Sequence, residues 1–180
     1  MSVLTQFLSP EHIYTNVLIS SKKRALEFIG KTVAESLNQS HADEEYEHLF
    51  CPVECFSNLF KREKLGSTAL NNGIALPHAK LPGNSYIQLD KPIAIFIKLE
   101  NPIDYAASDH KEVDLIYAIL FPEQSCCEYK TCLPQIAERL TDKNILKQLR
   151  MADSADDIFH ILRSYDEHLN EENIEAKIEE

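Results

Sequence analysis

The chain has no tryptophan, only four glycines in 180 residues, and no apolar run near the ~20 residues a membrane-spanning helix needs. Membrane insertion is therefore not expected. Met1 to Pro10 lacks a basic start followed by a long apolar stretch, so no secretory signal is expected and the cytoplasm is the expected compartment. Positive charge is scarce: 18 Lys and Arg stand against 29 Asp and Glu, a formal net charge of −11. Without a basic stripe and interleaved aromatics, direct binding to nucleic acid is not expected. The five cysteines, Cys51, Cys55, Cys126, Cys127 and Cys132, are odd in number and form neither a CxxC pair nor a zinc-like spacing with histidine. They read as reduced, partly buried thiols. His12, His41, His48, His160 and His168 lack carboxylates or cysteines at ligand spacing, so neither a metal nor a cofactor is expected. His110, in the polar stretch Ser108 to Lys111, reads as loop surface.

What is present is an ordinary globular composition, 44% hydrophobic and 26% charged, in a length suited to one domain with a real core. The acidity is local. Residues 152 to 180 hold ten acidic side chains against two basic ones. This divides the chain into a domain over residues 1–165 and an acidic C-terminal tail over 166–180, expected as solvated or frayed helix.

Ala25, Ile29, Val33 and Leu37 recur at four-residue steps, which predicts a helix capped by Ser20 or Ser21, with Lys22, Lys23, Glu27, Lys31 and Glu35 facing water. Pro52 suits the first turn of a second helix with Val53, Phe56, Leu59 and Phe60 as its buried stripe, and Gly66 ends it. Ile93 to Leu99 and Val113 to Phe121 read as central strands, the second buried on both faces. Helical spacing then returns over 128–140, 142–151 and 154–164, with Pro134 starting or kinking the first of these. Strands flanked by helices at both ends of the sequence predict an α/β chain in a three-layer α/β/α sandwich.

Two of the four glycines, Gly66 and Gly73, bracket a polar turn that includes Ser67, Thr68, Asn71 and Asn72. Glycine admits positive φ and close approach, and the hydroxyl, amide and main-chain donors suit an anion cradle, with Arg62 to neutralise it. Gly73 to Leu76 is short and apolar like a strand. Pro77 then stiffens the backbone before His78. A rigid imidazole beside anion donors suits phosphoryl transfer: neutral histidine is a nucleophile near its ordinary pKa of ~6.5, and the transition state asks chiefly for positioning and charge stabilisation. On composition alone, a packed or surface histidine is the better reading of His78. The GxxxxGK[ST] phosphate loop is absent.

The run Arg62-Glu63-x-x-Gly66-Ser67-Thr68, followed by Asn72-Gly73-Ile74-Ala75-Leu76-Pro77-His78, resembles the fructose/mannitol-type enzyme IIA family of the phosphotransferase system, and within it the nitrogen-type regulatory enzyme IIA. Ser21 to Glu27, Val113 to Glu123 and Ala137 to Lys143 extend the resemblance to about residues 3–165, one domain. It implies a mixed central sheet, phosphorylation of His78 on Nε2, an assisting Arg62, and a small histidine-containing carrier protein (HPr-like) as donor. Two departures stand out. Tyr129 occupies the place where many relatives have a second histidine, as a candidate helper able to donate a hydrogen bond but not an imidazolium charge. Ala69 and Asn71 replace common glycines. The expectation is a phosphohistidine carrier that regulates partner proteins, with phosphate held by Arg62, Gly66, Ser67, Thr68, Asn72 and Gly73. A sugar-transport enzyme IIA serving a IIB domain, or an unphosphorylated interaction module on the same fold, are the alternatives.

Overall fold

A computed structural model describes residues 2–40, 50–83, 89–123 and 126–178, with the side chains of 126–129 set aside. A short 3-10 turn, Pro10–His12, leads into β1 (Ile13–Val17), followed by α1 (Lys22–Ser40) and α2 (Pro52–Lys64). Next come β2 (Ile74–Ala75), β3 (His78–Lys80), β4 (Ile93–Ile103) and β5 (Val113–Phe121), then α3 (Cys126–Arg139), α4 (Lys143–Met151) and α5 (Ala155–Ile178).

The sheet order is β1-β4-β5-β2, with β3 also paired to β5. β4 and β5 are antiparallel, whereas β1 joins β4, and β2 and β3 join β5, in parallel, so the sheet is mixed. Side chains alternate between faces along a strand, and β5 displays this directly. Ile116, Ala118 and Leu120 pack with Ala25, Ile29, Val33 and Leu59 of α1 and α2. Leu115, Tyr117, Ile119 and Phe121 pack with Ile136, Ile145, Leu149, Ile158 and Leu162 of α3, α4 and α5. Two cores on the two faces of one sheet make the three-layer α/β/α sandwich, with β4 and β5 central as expected.

α1 buries the expected stripe together with Leu26, Gly30 and Ala34. A Cβ on Gly30 would lie 2.7 Å from the Phe56 backbone nitrogen, so the missing side chain lets α1 and α2 approach closely. α2 buries Cys55, Leu59 and Glu63, and of the predicted stripe Leu59 is buried, Phe56 and Phe60 pack partly buried against the same core, and Val53 does not belong to it. At 100° per residue Val53 lies well off that face, and it is 70% exposed. Pro134 lies inside α3 rather than at its start, where, having no N–H, it cannot give the Lys130 carbonyl the usual helical hydrogen bond. The acidic segment continues α5 as far as Ile178, and Asp166 is fully buried.

Candidate active site

β2 and β3 are two short pieces of one sheet edge, both carried by β5: Ile74 pairs with Leu115 and His78 with Ile119. Pro77, which has no N–H to give a ladder, separates them, while its carbonyl still accepts from Ile119 N at 3.1 Å. The histidine is thus clamped by parallel pairing on a strand that starts at the residue itself. Its side chain is 8% exposed.

Both ring nitrogens have defined roles. Nδ1 lies 2.8 Å from the Leu76 carbonyl, which can only accept, so Nδ1 carries the proton. Nε2 lies 3.2 Å from Nε–H of Arg62, which can only donate, so Nε2 presents its lone pair. Burial pushes the His78 pKa below its ordinary value, with Arg62 acting in the same direction and the Leu76 carbonyl and Glu63 opposing it. The ring is therefore a neutral Nδ1–H imidazole at physiological pH, with its basic nitrogen toward a guanidinium.

His78 and Arg62 form part of the wall of an open cavity of about 620 Å³ between α2 and β3. Lys61 and Lys80 add cations to its lining, and Glu54 and Glu123 add carboxylates. Asn58 Nδ2 donates to the Lys80 carbonyl at 3.0 Å, tying α2 to β3 across this hollow. An anionic group entering here meets one guanidinium and one neutral imidazole at the same point.

The predicted phosphate loop is built differently from the sequence expectation. Residues 68–76 form a tight hairpin: Leu76 N donates to Thr68 O at 2.9 Å and Leu70 N to Ile74 O at 2.8 Å. Asn72 and Gly73 turn it with φ of 71° and 82°, a conformation asparagine and glycine tolerate. The hairpin's tip lies in another hollow, with Lys111, Asp114 and Arg150. There Asn72 N–H is bound to Asp109 Oδ2 at 2.8 Å, and Asn72 O accepts from Arg150 at 2.6 Å. Asn72 and Gly73 are not brought to His78, because the hairpin points them away. At its near end Thr68 gives both its N–H and its hydroxyl to Glu63, at 2.8 and 2.6 Å. Ser67 Oγ donates to Tyr105 O, and the Gly66 carbonyl accepts from Arg62 NH1, each at 3.0 Å. Of the predicted loop residues, Gly66 thus reaches the site through Arg62, while Ser67 and Thr68 bond inward. Tyr129 falls in α3, and its side chain is outside the described residues.

Sequence reasoning passed over Glu63, Lys22 and Tyr105. Glu63 is 7% exposed on the buried face of α2. It pairs with Lys22 Nζ at 2.7 Å, so Lys22 turns inward rather than to water. Tyr105 OH lies 3.2 Å from Thr68 Oγ1 and completes the cluster. The available signal was the four-residue step from Cys55 through Leu59 to Glu63, which puts a carboxylate on an apolar stripe.

The chain and its fold are similar to known proteins. Residues 6–165 match the family described as phosphoenolpyruvate-dependent sugar phosphotransferase system, EIIA 2. A nitrogen regulatory protein homolog of Haemophilus influenzae is 46% identical over 164 residues, covering 91% of this chain and 93% of that protein. The crystal structure of nitrogen regulatory protein IIA-Ntr from Neisseria meningitidis superposes with a TM-score of 0.73 at 30% identity, over 89% of this chain and 99% of that one. The IIA mannitol structure from Escherichia coli shares the fold, with a TM-score of 0.64 at 19% identity over 86% and 98% of the two chains. The chain belongs to the type 2 enzyme IIA family of the phosphoenolpyruvate-dependent phosphotransferase system.

Proposed function

We propose that this enzyme IIA carries a phosphoryl group on Nε2 of His78, received from a small histidine-containing carrier protein, and that its phosphorylation state regulates partner proteins. The observation that carries the reading is the ring itself: Nδ1–H is held by the Leu76 carbonyl, and Nε2 presents its lone pair beside Arg62 at an open cavity.

The Nε2 lone pair attacks phosphorus, the bond from phosphorus to the donor's ring nitrogen breaks, and that nitrogen recovers its electron pair. Arg62 turns from the ring nitrogen to the phosphoryl oxygens as Nε2 is consumed. The phosphorylated ring keeps its Nδ1 proton, and the Leu76 carbonyl supports the positive charge it then shares. No metal or proton transfer is required. The regulatory part rests on relatives named nitrogen regulatory proteins. Two added negative charges on this surface change how any partner docks over it.

The test is intact-mass analysis after incubation with phosphoenolpyruvate, the general phosphotransferase enzyme and its small carrier. Wild type should gain one acid-labile phosphoryl group and a folded His78→Ala variant none. Normal labelling of that variant, or no labelling of wild type where a control enzyme IIA is labelled, would sink the proposal. Rapid onward transfer to a IIB domain would instead favour a sugar-transport role.

A further inference from the structure

Behind the cavity, a hydrogen-bonded path runs from a buried carboxylate to the imidazole. Glu63 Oε1 accepts from Thr68 N–H at 2.8 Å, Thr68 O from Leu76 N–H at 2.9 Å, and Leu76 O from His78 Nδ1–H at 2.8 Å. Glu63, Thr68, Leu76 and His78 are all buried. The main chain at the same helix end braces the other half of the site. The Glu63 backbone carbonyl accepts from Gly66 N at 3.2 Å, and the Gly66 carbonyl accepts from Arg62 NH1 at 3.0 Å.

We infer that Glu63 is the positioning residue for this site, its side chain fixing through Thr68 and Leu76 the tautomer and orientation of His78, while its main-chain carbonyl, as any residue's would, braces Gly66 beneath Arg62. The inference rests on the phosphohistidine reading for its catalytic meaning, but the geometry stands without it. Thr68 N–H and Thr68 C=O belong to different peptide groups, so the path transmits position rather than polarisation. A charge-assisted bond to a shielded carboxylate is stronger and stiffer than one between neutral groups, which suits an anchor. Glu63 is itself held from three elements. Lys22 of α1 pairs with Oε1 at 2.7 Å, Thr68 Oγ1 donates to Oε2 at 2.6 Å, and Tyr105 OH lies 3.5 Å from Oε2. Lys22 Nζ also donates to the Tyr105 main-chain carbonyl at 3.3 Å and lies 4.7 Å from the centre of the Tyr105 ring, so the cation and this residue are held together. Glu63 bonds to Thr68, Lys22 and Tyr105, and apart from its charge, which raises the His78 pKa, it acts on the ring through Thr68 and Leu76.

The experiment is ring-nitrogen NMR on protein carrying 15N-histidine, with rates of phosphoryl transfer measured on the same samples. Wild type should show His78 as a single Nδ1–H tautomer. In Glu63→Gln the two His78 nitrogen signals should move toward each other as tautomers mix, and transfer should slow about 10- to 100-fold with the KM for the donor protein unchanged. His12, held between Ser9 and Ser36, should keep its wild-type signals. Wild-type His78 signals and a wild-type rate in folded Glu63→Gln would overturn the inference. Where that variant does not fold, Thr68→Val decides: it retains the N–H and loses the hydroxyl's contacts with Glu63 and Tyr105. A smaller displacement of the His78 signals in the same direction is expected, and unchanged signals would overturn the idea. The ring measurement needs no phosphoryl donor. Unlabelled wild type would therefore refute the carrier reading while leaving the ring signals to decide this one.

Discussion

Glu63 and Asp166 are the same device used in two places. Each is a buried carboxylate on a helix, each accepts main-chain N–H from outside that helix, and each is paired with a cation. Asp166 gathers the N–H groups of Val3, Leu4 and Thr5 at 3.1, 2.9 and 3.3 Å and pairs with Arg139, fastening the N-terminal segment to α5. Glu63 gathers the Thr68 N–H and pairs with Lys22, fastening the hairpin to α2. The difference lies in what is attached to the captured segment. Behind Asp166 there is packing; behind Glu63 there is His78. Similar chemistry therefore predicts a stability cost at both sites and a transfer cost at only one.

Asp166→Ala gives the largest expected effect. It leaves Arg139 without its partner and three N–H groups unsatisfied in a buried setting, at a cost of about 3–5 kcal/mol. Chemical denaturation should measure that loss, and transfer per folded molecule should match wild type. A transfer defect of the size expected for Glu63→Gln would erase the distinction between the two carboxylates.

The far tip of the hairpin sharpens the contrast. Arg150 grips Asp114 through Nε and NH2, at 2.9 and 2.8 Å to its two oxygens, while Lys98 Nζ holds the Arg150 and Ala152 carbonyls at 2.6 and 2.7 Å. A Cβ on Gly73 would meet Arg150 NH2 at 2.7 Å, and its φ of 82° is unfavourable for alanine. Gly73→Ala should cost about 1–2 kcal/mol from the backbone alone, read from the denaturation midpoint. The His78 ring signals should stay at their wild-type positions, because the Glu63 end holds the histidine independently. Movement of those signals would show that the tip, too, sets the ring.

Much of this arrangement was legible in the sequence, for reasons visible in particular residues. α1 was readable because Ala25, Ile29, Val33 and Leu37 all face one core. β4 and β5 were readable because central strands are apolar on both sides. β1 was not: among the described residues it pairs only with β4, its register shifts between Tyr14 and Val17, and Asn16 has φ of 56°. Arg62 and His78 were found through the motif and do meet. The present bonding of the hairpin residues was not legible, because a polar glycine turn advertises donors without revealing where they are spent, and here Thr68 and Asn72 bond to Glu63 and Asp109. The Glu63 cluster was missed because Tyr105, 42 positions away, belongs to it only in three dimensions.

The smallest effect separates the two sites by pH. Burial lowers the pKa of His78, and burial also lowers that of His12, which Ser9 and Ser36 hold away from the cavity. Below about pH 6.5 the unfolded chain binds a proton on each of these rings while the folded rings stay neutral. The unfolded state then holds more protons, so this contribution to stability is complete above that pH and is lost as pH falls through the folded-state values. Thermal midpoints should therefore decline on acidification through this window, and His78→Gln and His12→Gln should each remove part of the decline. Glu63 raises the His78 pKa, so Glu63→Gln should move the His78 titration further down and leave that of His12 in place. Asp166→Asn should move neither. A shift of the His78 titration in Asp166→Asn equal to that in Glu63→Gln would mean that both carboxylates reach the ring, and that the site is not governed from the Glu63 side alone.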